Sequence, residues 1–463
     1  MTQGAAGRLL APALAALTVI PTALTVAPAV LAPATAHADP AAGFPSPPPV
    51  DMRRLPRDTR PAPLPGVRQV SQCARPPDAP SGRRTALTWG VRAMRLAELR
   101  RAGTGKGVEI AVIDSGVAPH PLLSGRLRDG GDYVAGRSGL IDCEGHGTAV
   151  AGVVAAAVDE GSGFAGLAPG AGVISIRQTS ATFRTTAPDG RSVSAGSVAT
   201  LARAIVRAVE LDAQVINISE VACVPVTDAG PAGAAVQAAV HHAAQRDVLV
   251  VVAAGNRDPG GAGACPADSG NDTVVLPAWY DDDVLAVASV APDGTASQFG
   301  IRAPWVDVAA PGEQLMSLSP NGSGSTDVLV GVNGQAQSMQ GSSFAAPAVA
   351  GLAALIRARY PELRARQVMN RITATASSAA GGHNDAVGWG TVDPLAALTR
   401  TPAVLEPPDQ RRAATLSDAG LLPLSPPDPA RAATPSTVRA GMLGLLAAAA
   451  ATAMTVLRSR TRA

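Results

Sequence analysis

Residues 107–116 read Gly-Val-Glu-Ile-Ala-Val-Ile-Asp-Ser-Gly and contain the short apolar run that decides the fold. A run of this length, bounded by glycines, is typical of a strand that is buried on both faces. Further runs of the same kind follow along the chain, at residues 173–176, 215–218, 248–253 and 284–288. Helical patterns separate several of them, at residues 146–158, 197–211 and 231–246. Strands that alternate with helices predict an α/β fold of three layers, in which a mostly parallel central sheet carries helices on both faces.

The composition limits the classes of protein to which the chain can belong. Hydrophobic residues make up 46% of the 463 residues, charged residues make up 16%, and the formal net charge is +2. This balance argues against a disordered chain, and it gives no electrostatic basis for binding a nucleic acid. The length allows one domain of about 300 residues with appendages at both ends.

Three segments place chemically useful side chains at the ends of predicted elements. Asp114 ends the strand quoted above, His146 begins the helix of segment 145–152, and Ser343 begins the helix of segment 341–347. The carboxyl ends of parallel strands and the N-termini of helices meet at one edge of such a sheet. A serine hydroxyl needs a base to take its proton, and an imidazole base needs a carboxylate to fix its tautomer. These residue types therefore predict nucleophilic catalysis by an Asp-His-Ser triad.

Taken in this order, the three segments resemble the signatures of the subtilisin-like serine proteases over about residues 91–400. The resemblance implies a subtilisin-like version of the three-layer fold. It also implies that Asp114 orients His146, that His146 acts as general base and then as acid, and that Ser343 is the nucleophile. The stretch Val-Val-Val-Ala-Ala-Gly-Asn, which ends at Asn256, resembles the family's oxyanion segment. Asn256 is therefore expected to donate its amide to the developing oxyanion.

Residues 217–221 read Asn-Ile-Ser-Glu-Val and stand where this family has a strand that pairs with the substrate backbone. Asn217, Ser219 and Glu220 are therefore expected to bind substrate, because an exposed edge can pair with an extended peptide. The family usually has Leu-Gly where this chain has Glu220 and Val221. The bulk of Val221 and the charge of Glu220 predict a narrow preference for small or basic residues. The alternative is that Glu220 points into solvent.

Both ends of the chain carry apolar runs that suggest membrane targeting. A basic start, an apolar stretch and Ala-His-Ala at 36–38 predict a signal peptide over residues 1–38, with a membrane anchor as the alternative. The uncharged run 440–457 precedes three arginines, which predicts a transmembrane helix with a cytoplasmic tail of residues 458–463. A buried or interfacial helix is the alternative. We expect a single-pass protein of the cell membrane, with its catalytic domain extracytoplasmic and a Pro-rich linker at 401–439.

Residues 39–90 form a Pro-rich extension with too few apolar residues for a core of its own. We expect it to wrap permanently around the catalytic domain of residues 91–400, and the alternative is a shortened pro-domain that is removed. The four cysteines of an exported chain should be paired, and three pairings are possible. The favoured pairing would tie the extension to the catalytic domain and brace the loops around the site; its pairs are Cys73–Cys143 and Cys223–Cys265.

The whole layout resembles that of the mycosins, the membrane-anchored subtilisin-like proteases of actinobacterial type VII secretion systems. The segments Asp-Cys-Glu-Gly-His at 142–146 and Ser-Glu-Val-Ala-Cys at 219–223 support this resemblance, together with the extension and both ends. The resemblance implies a peptide or protein substrate and association with the membrane complex of such a system. The polar stretch 178–197 is expected to be an exposed loop that can be clipped.

Two alternatives to this function remain open. One is a chiefly structural partner that stabilises the secretion membrane complex, and the other is a general subtilase that degrades secreted proteins. The intact triad favours catalysis. We expect no cofactor and no metal, because no carboxylate cluster has the spacing of a calcium loop.

Overall fold

The computed structural model describes residues 44–74, 87–187, 190–257, 265–266, 270–331, 334–379 and 382–400. The predicted signal peptide, the linker, the terminal helix and the arginine tail lie outside these residues. Among the helices in the described ranges, none has the length and apolar character needed to cross a membrane.

The described elements comprise strands and helices that alternate through most of the domain. The strands are β1 (Arg68–Gln69), β2 (Glu109–Asp114), β3 (Leu127–Asp132), β4 (Gly172–Arg177), β5 (Ser180–Thr186), β6 (Ser192–Ala195), β7 (Val215–Ile218), β8 (Ala222–Pro225), β9 (Leu249–Ala253), β10 (Thr273–Leu276), β11 (Val284–Val290), β12 (Val308–Pro311), β13 (Ser317–Leu318), β14 (Ser325–Thr326), β15 (Val328–Val330), β16 (Ala336–Ser338), β17 (Ser377–Ser378) and β18 (Gly390–Thr391). The helices are α1 (Trp89–Ala93), α2 (Leu96–Ala102), α3 (His146–Ala155), α4 (Val198–Glu210), α5 (Val226–Gln245), α6 (Ser342–Arg359), α7 (Ala365–Thr375) and α8 (Pro394–Thr399).

A nine-stranded sheet forms the middle layer, in the order β17-β18-β12-β11-β9-β7-β2-β4-β3. Neighbouring strands in this sheet are parallel, except for the antiparallel pair β17 and β18 at one edge. Successive residues of β2 point to opposite faces, as the pleat requires. Ile110 and Val112 belong to the apolar core that includes α3 and α6, whereas Ala111 and Ile113 belong to the core that includes α4 and α5. The prediction of a mostly parallel sheet with helices on both faces is confirmed.

Helix α6 lies in the first of these two cores and is almost entirely buried. Its small side chains let neighbouring backbone approach closely. A Cβ added at Gly351 would lie 2.8 Å from the Cβ of Leu167 and 3.1 Å from the carbonyl oxygen of Val154. A core that is poor in aromatic residues is thus filled by bringing helices together rather than by large side chains.

The described part of the extension, residues 44–74, lies along the catalytic domain and has its contacts there. The indole of Trp279 donates a hydrogen bond to the Pro45 carbonyl (2.9 Å), and the Gln237 amide donates one to the Pro48 carbonyl (2.6 Å). Further along, Asp58 forms an ion pair of 2.9 Å with Arg207 on α4. Strand β1 of the extension then pairs antiparallel with β5.

The stretch 178–197 does not form the loop that the sequence analysis expected. Strands β5 and β6 pair antiparallel, and β1 adds a third strand. The prediction of a loop is therefore wrong for residues 180–186 and 192–195. Strand β5 buries Ser180 and Thr182 beside Phe183, and its polar residues resemble a loop in a hydropathy pattern.

Candidate active site

Asp114 and His146 are joined across the edge of the central sheet. Asp114 is the last residue of β2, is fully buried, and its Oδ1 lies 2.8 Å from Nδ1 of His146. The backbone N–H of Ser115 donates to the same oxygen at 2.7 Å. His146 is the first residue of α3, and the glycine after it leaves room for the carboxylate. A Cβ at Gly147 would lie 3.1 Å from Oδ1 of Asp114.

The surroundings of His146 favour its protonated form. Burial alone would lower the pKa of the imidazole, but the carboxylate of Asp114 raises it above its ordinary value by charge and by the hydrogen bond. Glu220 and Asp142 add to this effect. Stabilising the imidazolium is what a general base requires at the moment when it takes a proton from serine.

Ser343 lies in the first turn of α6, at the edge of the sheet where His146 lies. The backbone of Gly341, which precedes this helix, has a φ of +139°, a region that favours glycine. A Cβ at Gly341 would lie 2.9 Å from Oγ of Ser343 and 3.3 Å from Nδ2 of Asn256. The serine hydroxyl and the asparagine amide therefore border the same space, which the missing side chain leaves open.

Asn256 is held in this orientation by Ser342, a residue that the sequence analysis did not assign to the site. The backbone N–H and the hydroxyl of Ser342 both donate to Oδ1 of Asn256 at 2.9 Å. Because Oδ1 is occupied, the NH₂ group of Asn256 is the free end of the amide. The sequence signal was a hydroxyl residue directly before the nucleophile, but its partner lies 86 residues away.

Phe344, the residue after Ser343, packs against the imidazole of His146. The centroids of its ring and the His146 ring are 5.0 Å apart, with an angle of 56° between the ring planes. This contact joins the first turns of α3 and α6, which carry the predicted base and the predicted nucleophile.

Asp142 is a second residue that the sequence analysis missed. Its carboxylate accepts hydrogen bonds from Ser115 Oγ (2.9 Å), from the Gly145 N–H (2.8 Å) and from the N–H and hydroxyl of Thr148 (2.8 and 2.6 Å). It thereby ties the end of β2 to the start of α3. Burial raises the pKa of Asp142, while the bonds from Thr148 act in the opposite direction. The signal was an acidic residue four positions before a helix-starting histidine.

In the segment expected to bind substrate, the side chains of Asn217 and Ser219 are buried, whereas that of Glu220 is partly exposed. Asn217 is fully buried on β7, and its amide donates to Ser219 Oγ at 2.9 Å. Those two side chains therefore contact each other, so any contact with a substrate would come from their backbone. The side chain of Glu220 is 33% exposed, and its Oε1 lies 3.6 Å from Nδ1 of His146.

A cavity of about 390 Å³ opens beside His146. Its wall includes Glu220, Val221, Leu201 and Glu144. Oε1 of Glu144 accepts hydrogen bonds from Ser180 Oγ (2.5 Å) and from the backbone N–H of Thr182 (2.9 Å). The hairpin of β5 and β6 thus contributes one side of the cavity, and the segment after β7 contributes the other.

Two disulfide bonds flank this region, and they join the pairs that the sequence analysis favoured. Cys73 of the extension is bonded to Cys143, three residues before His146. Cys223 on β8 is bonded to Cys265, and β8 also pairs with β10. One bond holds the extension beside the catalytic histidine, and the other braces the strand that follows Glu220.

Comparisons with known proteins agree with this geometry. A model described as the subtilase family matches residues 105–390. The chain is 46% identical to mycosin-4 of Mycobacterium tuberculosis, over 76% of this chain and 78% of that protein. Among solved structures, it is similar to the MycP3 protease from the type VII (ESX-3) secretion system, with 37% identity, a TM-score of 0.69 and coverage of 77% of this chain and 100% of that one. It is also similar to a chain in an intact ESX-5 inner membrane complex, with 37% identity, a TM-score of 0.68 and coverage of 89% and 100%.

Proposed function

The chain belongs to the mycosins within the subtilase family, and we propose that it is a serine endopeptidase of a type VII secretion system with Asp114, His146 and Ser343 as its triad. One observation carries the proposal. The hydrogen-bonded pair of Asp114 and His146 lies at the same sheet edge as a helix start where a serine hydroxyl and the Asn256 amide border one open space.

The proposed reaction uses these groups in sequence. Ser343 Oγ attacks the scissile carbonyl while its proton passes to His146, and Asp114 stabilises the resulting imidazolium. The Asn256 amide and the Ser343 backbone N–H donate to the oxyanion. His146 then gives its proton to the leaving amine, and an acyl-enzyme remains. Water attacks the acyl group while its proton passes to His146, which returns a proton to Ser343 Oγ as the acyl–oxygen bond breaks; the new carboxylic acid is released and free Ser343 is regenerated.

The substrate is proposed to be a peptide segment that lies extended along residues 217–221. Backbone groups supply the pairing, since the side chains of Asn217 and Ser219 bond to each other. Val221 and Glu220 line the neighbouring cavity and are proposed to restrict the side chains that it accepts.

The site of action is proposed to be the outer face of the cell membrane, in contact with the secretion complex. The similarity to a chain of the ESX-5 inner membrane complex supports this location. The uncharged run 440–457, followed by arginines, supports an anchor with a short cytoplasmic tail.

A variant of the nucleophile tests the proposal. Ser343→Ala in the full-length, membrane-bound protein should abolish covalent labelling by a fluorophosphonate probe, which reacts with activated serines. Ser338→Ala is the matched control, because Ser338 lies exposed on β16, and it should label like the wild type. Labelling of Ser343→Ala at the wild-type rate would overturn the proposed mechanism.

A structural role in the secretion complex is the second candidate, and the likeness to a chain of an assembled membrane complex favours it. The same variant separates the two functions. If secretion stops in cells that lack the protein but persists in Ser343→Ala cells, in which processing of secreted proteins stops, the protein has a catalytic role and a separate structural one. If processing also persists, the endopeptidase role is wrong.

A further inference from the structure

A second carboxylate faces the catalytic histidine. Oε1 of Glu220 lies 3.6 Å from Nδ1 of His146, the same nitrogen that is bonded to Asp114 at 2.8 Å. Asp114 is fully buried at the end of β2, whereas Glu220 approaches from the segment after β7. One ring nitrogen of His146 and one carboxylate oxygen each of Asp114 and Glu220 all lie within 4.8 Å of one another.

The charged groups around this histidine come from three directions. Asp114 lies on β2, Asp142 lies before α3, and Glu220 follows β7, and each of them favours the imidazolium. Helix α6 presents the neutral side chains of Ser343 and Phe344. A transient positive charge on His146 therefore forms beside carboxyl groups that are already in position, so little reorganisation is needed when the proton arrives.

The surroundings of Glu220 raise the pKa of its carboxyl group above the ordinary value. Burial makes the largest contribution, the positive charge on His146 acts in the opposite direction, and Asp114 and Glu144 raise the pKa further. A carboxylate in this position gains its strongest partner only when His146 is protonated. The interaction is thus stronger in the state that follows proton transfer than in the resting state, which is the condition for lowering a barrier.

We propose that Glu220 is a positioning residue of the triad, whose carboxylate stabilises the imidazolium of His146 and limits rotation of its ring. The proposal rests on the proposed function, since it assigns a role within the same proteolytic reaction. Glu220 does not contact the reacting atoms, so its effect on the substrate carbonyl is exerted through His146.

The experiment measures how the rate of fluorophosphonate labelling depends on pH, in the full-length protein and in the presence of EDTA. Glu220→Gln keeps the size of the side chain and removes the charge. Without that charge the imidazolium is less stable, so the pKa of His146 falls and the rising limb of the profile moves to lower pH by about one unit. The labelling rate on the plateau at higher pH falls about tenfold, and Glu220→Asp recovers part of both changes.

Glu98→Gln is the matched control for the position of the limb. Glu98 lies on α2, where its carboxylate forms an ion pair with Arg95, and it is not one of the carboxylates that act on His146. Removing its charge should leave the limb of the profile where it is in the wild type. Thermal unfolding of each variant identifies any loss of rate that comes from a damaged fold.

Two outcomes overturn the proposal. The first is an unchanged limb in Glu220→Gln; if peptide kinetics then show a loss confined to the KM of peptides that carry lysine or arginine, Glu220 is a recognition residue. The second is a profile altered only when Zn²⁺ replaces EDTA, which would make the three side chains a cation site. If the wild type does not label at all, or Ser343→Ala does, the proposed function fails instead.

Discussion

At the scale of single residues, the site depends on hydrogen bonds that fix the orientation of its side chains, as Ser342 does for Asn256. Oδ1 of Asn256 accepts two hydrogen bonds from Ser342, one from its backbone and one from its hydroxyl. The Gly255 N–H donates to the same hydroxyl at 3.3 Å. The amide that faces the space over Gly341 is therefore fixed before any substrate arrives, which is the arrangement that makes an oxyanion donor effective.

Asn256→Ala should reduce kcat by about 10²–10³-fold with little change in KM, a magnitude known from subtilisin, a relative of this chain. The donor acts on the oxyanion, which exists only after the serine has attacked. Steady-state kinetics on a quenched peptide that the wild type cleaves would measure the effect. A change in KM with kcat unchanged would show that Asn256 binds the ground state instead.

The residues of the triad were accessible from the sequence because each lies in a local pattern, with glycine neighbours at the end of an apolar strand or the start of a helix. The residues that position the triad and Asn256 could not be identified from the sequence in the same way. The bond from Ser342 to Asn256 joins residues 86 positions apart, and the bond from Ser115 to Asp142 joins residues 27 apart. Such partners are decided by the folded backbone, and the sequence pattern shows only that a polar residue is present.

At the scale of elements, the close approach of helices determines where the catalytic groups lie. Helices α3 and α6 share one core and carry His146 and Ser343 in their first turns. The order of the strands could be expected only in outline, because alternation of strands and helices predicts a parallel sheet but not which strands pair. The hairpin of β5 and β6 was missed because most of its residues are polar, with serine and threonine at six of the eleven positions.

Gly351→Ala should destabilise the protein by about 1–3 kcal/mol, because the added methyl group would overlap the Cβ of Leu167 at 2.8 Å. Gly103→Ala is the matched control, since its backbone is extended and its added Cβ would meet only Leu355 Cδ2, at 3.9 Å. That substitution should be close to neutral, because this distance is an ordinary van der Waals contact. Chemical denaturation of both variants measures the difference. Equal free energies of unfolding would show that α6 has room to move.

At the scale of the whole molecule, the extension is attached to the catalytic domain at several separate points. Residues 44–74 contact α4, α5 and β5, and a disulfide bond joins Cys73 to Cys143. Residues 45 and 48 supply carbonyl acceptors to buried or half-buried donors, so removal of the extension would leave those donors without partners. These contacts support a permanent wrap.

Intact-mass measurement of the protein purified from the membrane fraction should give the mass of residues 39–463 with two disulfide bonds. That mass follows from cleavage after Ala38 and retention of the extension. The recovery of the protein from the membrane fraction follows from the expected anchor at 440–457. Loss of a further 50 residues or so would contradict the permanent wrap. Recovery of the same intact species from the soluble fraction would contradict the anchor.

We propose that Ser343 is the residue activated by His146 and Asp114. Peptide mapping by mass spectrometry after fluorophosphonate labelling identifies the serine that reacts. We expect a single adduct on Ser343 in the wild type and no adduct in Ser343→Ala or Asp114→Asn at the same exposure. An adduct on Ser342 or on any other serine, with Ser343 unmodified, would contradict it.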